Sequence, residues 1–113
     1  MDARAVQRLL EKIQGLAETA EQVGTRSAES MRREPHLSDA AKEQLAPFYR
    51  EHALRLTLLY SELGGLICET IRSEAQDGTA RGLVDLFHAN FYAMRDRSRE
   101  KLRREFGAEA RLP

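Results

Sequence analysis

The reading of the fold turns on residues 53–71, ALRLTLLYSELGGLICETI, from Ala53 to Ile71. Its only charges are Arg55, Glu62 and Glu69, while Leu54, Leu56, Leu58, Leu59, Tyr60, Leu63, Leu66, Ile67, Cys68 and Ile71 fall on nearly every side of a helical wheel. A helix that is apolar all round is normally buried. The stretch is too short and too charged to cross a bilayer, which needs about 20 mostly apolar residues. It reads as the central helix of a bundle that the rest of the chain covers, with no role in a membrane.

Just upstream, Tyr49 and His52 lead into Leu56, Leu59, Leu63 and Leu66 at spacings of three and four, and Leu54, Leu58, Ile67 and Ile71 add a second apolar face. Two apolar faces imply two sets of neighbours. Gly64 and Gly65 sit mid-helix, where they either admit another backbone or loosen the helix. Pro47 lacks an N–H and is tolerated in a helix's first turn. The pattern therefore predicts a short helix over 39–46 leading into a long one over 47–75.

On the N-terminal side, Val6, Leu9, Ile13, Leu16, Ala20 and Val23 alternate at three and four, the seam of a coiled-coil heptad, and Leu10 and Ala17 widen it. After Val23 the seam weakens to Gly24, Ser27 and Ser30 or Met31, so this half packs either poorly or very closely. Pro35 pushes Glu34 out of helical conformation, and Ser38 followed by Asp39 makes a reasonable cap for the next helix. On the C-terminal side, AQDGT (75–79) predicts a stop, with Gly78 closing the central helix and Thr79 capping the last. That last helix presents Leu83, Val84, Leu86, Phe87, Phe91 and Met94 as a wide apolar face, then becomes almost wholly charged over 95–106, with Leu102 and Phe106 its only large apolar residues, within a charged C-terminal end over 95–113.

The fold class expected is all-α: an antiparallel up-down-up bundle of three long helices with a short extra helix before the central one, forming a single domain over 1–113. No alternating Val, Ile and Thr runs suggest a sheet. At 113 residues one core is feasible but its stability is modest, and the surplus apolar surface predicts a homodimer. The surface expected to mediate it comprises Leu59, Leu63, Leu66, Phe87, Phe91 and Met94.

Eighteen basic residues cancel eighteen acidic ones, so a general attraction to nucleic acid or anionic membrane is not expected. The net charge is nevertheless uneven, −1 over 1–47, −2 over 48–94 and +3 over 95–113. Within that last segment Arg99, Arg103 and Arg104 are the candidate anion or nucleic-acid contacts, with interleaved Asp96, Glu100, Glu105 and Glu109 acting against them. The single cysteine, Cys68, allows no disulfide within the chain and points to a reducing cytoplasm. The N-terminus has charges throughout and no continuous apolar run, so export is not expected.

No catalytic, cofactor or metal site is predicted. His36 falls in a turn, His52 on the inner stripe, and His88 beside the aromatic face, three residues from Asp85. No Glu-x-x-His pair recurs on two helices, and there is no CxxC, nucleophile elbow or phosphate-binding loop. In helix lengths and in its DG turn, the stretch from Phe48 to about Met94 is similar to the effector-binding part of helical repressors of the tetracycline-repressor type, whose DNA-binding half has no counterpart in this sequence. That likeness implies a small-molecule-sensing domain of a transcriptional regulator. By elimination, the residues favour a non-enzymatic protein acting through protein–protein contact as a regulatory, adaptor or assembly factor, with nucleic-acid association a further alternative.

Overall fold

In a computed structural model of the protein, residues 2–75 and 78–107 are described, and they form three helices: α1 (Ala3–Arg33), α2 (Asp39–Glu74) and α3 (Gly78–Phe106). The described residues contain no strand. The helix ends follow local chemistry. Asp2 caps α1 by accepting the Arg4 N–H at 3.0 Å, and Ser38 Oγ caps α2 by accepting the Ala41 N–H at 3.2 Å. Glu34, at φ −69° and ψ 116°, takes the extended conformation that the following Pro35 imposes. Gly107, at φ 60°, supplies the left-handed residue that closes α3, and its N–H donates to the Arg103 carbonyl at 2.9 Å.

Two expectations about boundaries are corrected. The separate helix over 39–46 is absent, because α2 runs unbroken through Pro47. A proline frees the carbonyl four residues earlier and crowds it. That carbonyl belongs to Glu43, which like Pro47 is exposed, so water can serve it. Gly78 opens α3 instead of closing α2, and Thr79 lies inside α3. Helix α2 stops at Ala75, whose extended backbone still donates its N–H to the Ile71 carbonyl at 2.8 Å. Gln76 and Asp77, the middle of the expected turn, lie outside the described residues, as do Glu109 and Arg111.

The helices pack as an elongated bundle of 58 × 25 × 16 Å in which α2 touches both others and α1 meets α3 only briefly. One core cluster joins Val6, Leu10 and Ile13 of α1 to Cys68 and Ile71 of α2 and Val84, Phe87 and Phe91 of α3. A second joins Leu54 and Leu58 to Leu102, with Phe106 packed against it. Small residues occupy the space between. Gly24 lies so close to Ala53 that a Cβ on Gly24 would stand 2.0 Å from the Ala53 Cβ, and one on Gly64 would stand 2.5 Å from the Phe91 ring. Thr57, buried, places Oγ1 3.2 Å from the Ala17 carbonyl oxygen across the helix pair and 3.0 Å from that of Ala53.

This close approach corrects the expected seam of α1. The buried stripe is Val6, Leu10, Ile13, Ala17, Gly24 and Ala28, whereas Leu9, Leu16 and Val23 are 46%, 49% and 53% exposed. Only alanine and glycine fit where the α1 backbone meets Ala53, so from residue 16 onward α1 turns Ala17, Gly24 and Ala28 inward and Leu16 and Val23 outward.

Charges tie the three helices at one level. Arg50 of α2 reaches Glu21 of α1 at 3.3 Å and Glu105 of α3 at 3.2 Å, and Lys101 of α3 meets the same Glu21 at 2.6 Å. Burial alone would push the Glu21 carboxyl up, but Lys101 and Arg50 together outweigh it and hold the group below its ordinary value.

Adding a methyl at Gly24 or Gly64 therefore overpacks a contact. Gly24→Ala and Gly64→Ala are each expected to lower the unfolding free energy by about 1–3 kcal/mol. Gly15→Ala, with nothing within 4 Å of the new Cβ, is expected to raise it by up to about 1 kcal/mol. Urea titration of the three variants measures this. For Glu21 the folded form binds its proton less readily than the unfolded form, so its stabilisation is full above the unfolded pKa near 4.5 and is lost as pH falls through the lowered folded value. Glu21→Gln is expected to cost about 1 kcal/mol at pH 7 and to flatten the stability curve below pH 4.5, as read by denaturant midpoints across pH.

Candidate interaction face

Helix α2 buries one of its apolar faces and leaves the other open. Leu54, Leu58, Cys68 and Ile71 turn into the bundle, each at most 8% exposed. On the far side Leu56 and Leu59 are half-buried, and Phe48, Leu63 and Leu66 are 59%, 46% and 58% exposed. At about 100° per residue, the charges Glu51, Arg55, Glu62 and Glu69 share one flank of α2, the one beside α3. Arg55 pairs with Glu51 at 3.1 Å, Glu62 with Arg99 at 2.5 Å, and Glu69 with His88 at 3.3 Å. The sector facing away from both other helices thus carries no charge from Leu45 to Thr70.

Helix α1 extends that sector. Leu9, Leu16 and Val23, seven residues apart, form an exposed stripe. A groove of about 410 Å³ between α1 and α2 is lined by Leu16, Val23, Tyr49, His52, Leu56 and Tyr60. Toward the α1–α2 connection a second depression, of about 630 Å³, is floored by Val23, Met31, Leu37, Leu45 and Tyr49, with Arg26 and His36 at its edge.

The six residues expected to form an interaction surface are therefore divided. Leu59, Leu63 and Leu66 lie together on the outer face. Phe87, Phe91 and Met94 are 8%, 0% and 7% exposed and belong to the chain's own interior. The glycines explain the difference, since Gly64 receives the Phe91 ring and Gly65 the Tyr92 ring. The α1 stripe was missed as a surface because its heptad spacing is also that of a core seam. The signal that could have found it was the run of small residues Ala17, Gly24 and Ala28 one position further on.

The basic end of α3 is largely spent on contacts within the chain. Arg99 bonds Glu62, Arg103 bonds Glu100, Lys101 bonds Glu21 and Arg95 bonds Asp96, with the Arg95 guanidinium 4.0 Å above the Tyr92 ring. Arg104 is exposed. Of the histidines, the inner placement of His52 is corrected. His52 is exposed and stacks on Phe48, and His88 turns to Glu69 while Asp85 pairs with Arg72 at 2.6 Å. Glu69 also accepts the Tyr92 hydroxyl, and these two bonds, Tyr92 before His88, hold its carboxyl below the usual range. Among the described residues no group of three or more His, Cys, Asp or Glu stands close enough to hold a metal ion, and no helix is long and apolar enough to cross a membrane.

No family model matches the chain, and no curated protein or solved structure is significantly similar to it. Function has therefore to be read from the geometry.

Burial pushes the Cys68 thiol up to about 11, only partly offset by Arg72. In the folded protein at pH 8 it is expected to react with a maleimide at least ~100-fold more slowly than in the unfolded chain, since the thiolate is the nucleophile. Labelling followed by mass spectrometry, with and without denaturant, checks this.

Proposed function

We propose that this is a small non-enzymatic helical protein, an antiparallel up-down-up bundle that dimerises and works by binding proteins, as a regulatory, adaptor or assembly factor. The observation that carries the reading is the outer apolar face, made by the uncharged sector of α2 and the exposed Leu9, Leu16 and Val23 stripe of α1 beside it. A helix side that remains in water is normally polar or charged, and a contiguous exposed apolar patch marks an interaction site. The up-down order is supported by the contacts, which pair Ala17 with Thr57 and Gly24 with Ala53, then Glu62 with Arg99 and Arg72 with Asp85. Residue numbers rise on one helix as they fall on the next.

A binding role rather than a chemical one is supported by where the reactive groups are used. Glu21, Arg50, Lys101 and Glu105 hold the helices together, and Cys68 is packed in the core. The same argument weakens the nucleic-acid reading, because Arg99 and Arg103 already bond carboxylates. A cytoplasmic setting agrees with the single buried thiol.

The test is solution mass by light scattering over a wide concentration range, for the natural chain and for Leu63→Glu. The natural chain is expected at twice its 12.9 kDa mass. The variant, which puts a charge on the face of both copies, is expected to raise the dissociation constant at least ~100-fold, about 2.8 kcal/mol, with unchanged helicity. A natural chain that stays monomeric at all concentrations overturns the reading.

A further inference from the structure

Resting on that reading, we propose that the occupant of the outer face is a second copy of this chain, its α2 running antiparallel to the first across a two-fold axis near Leu59. An interface between identical copies must be self-complementary. The spacing of the outer sector of α2 meets that condition, because its positions recur at nearly the same intervals in either direction from Leu59. Leu56 and Leu63 lie three and four residues to either side, His52 and Leu66 seven, and Phe48 and Thr70 eleven. Antiparallel pairing sets Phe48 of each copy against Thr70 of the other and keeps the three-four spacing in register throughout.

The charged flank selects the direction. In a parallel two-fold pairing the charged flanks of the two copies would lie on opposite sides of the interface, each against the uncharged flank of its mate. The antiparallel pairing instead sets both charged flanks on the same side and brings Arg55 of each copy within one residue of level with Glu62 of its mate. Glu51 and Glu69 approach one another near the ends, where each already has a partner in its own chain, Arg55 for one and His88 with Tyr92 for the other.

Exposed apolar surface and charge agree with a second copy, since Phe48, Leu63 and Leu66 stand 59%, 46% and 58% exposed on that face. A formal net charge of zero leaves two copies without long-range repulsion. The α1 stripe of Leu9, Leu16 and Val23 borders the same face and widens the area available.

Single cysteines introduced at exposed or half-buried positions test the arrangement under mild oxidation with glutathione disulfide, in the full-length protein. Leu59→Cys is expected to give covalent dimers at least tenfold faster than Phe48→Cys, whose two copies would stand about 33 Å apart along the axis at 1.5 Å per residue. Phe48→Cys mixed with Thr70→Cys is expected to cross-link, and neither is expected to do so alone. The natural chain serves as the control for Cys68. Circular dichroism of each variant, and its mass by light scattering, confirm that it folds and associates. If the chain is dimeric but Leu59→Cys fails to cross-link, or Phe48→Cys cross-links by itself, the antiparallel arrangement is overturned while the interaction reading stands. A monomeric natural chain overturns both.

Discussion

The structure depends on how closely α1 can approach α2. With glycine at 24 against alanine at 53, and the Thr57 hydroxyl within reach of the Ala17 carbonyl, the two backbones come nearer than larger side chains would permit. That contact fixes the rotation of α1 about its own axis. Once Ala17 and Gly24 face inward, Leu16 and Val23 have to point out along the neighbouring ridge. The exposed apolar stripe is thus a consequence of the close approach, not an independent feature.

A similar exchange operates between α2 and α3. Two glycines in α2 leave room for two rings, and the aromatic face of α3 fills it, so Phe91 becomes fully buried. Both neighbours then lie on one side of α2. Among the described residues its remaining apolar face has no cover, because α1 and α3 are occupied in packing against the other. Large apolar side chains left in water are a liability in a free monomer, which gives self-association a physical motive.

The charges serve the same architecture. Arg50 bridges α1 and α3 from the middle helix, and Glu21 takes both Arg50 and Lys101, so one level of the bundle is held by a network rather than by isolated surface pairs. Isolated exposed pairs contribute little, whereas several charges sharing partners hold their geometry better. Much of the basic character at the end of α3 is consumed in this way, which a count of arginines along the sequence does not reveal.

The sequence by itself determined the helical class, the cap at Ser38, the break at Pro35, and the two apolar faces of α2, because each depends on neighbours within a few positions. Tertiary structure decided which of those faces is buried and which residues of α1 line the core. The stripes Leu9–Leu16–Val23 and Leu10–Ala17–Gly24 differ by one position, and hydrophobicity favours the first. Steric fit against Ala53 favours the second, and that fit exists only once two helices meet. The passage of α2 through Pro47 was settled in the same way, by the exposure of Glu43 and Pro47 on the finished surface. Phe87, Phe91 and Met94 read as surplus apolar surface until Gly64 and Gly65 gave the neighbouring rings a place, since a cavity is a property of two helices and not of either sequence alone.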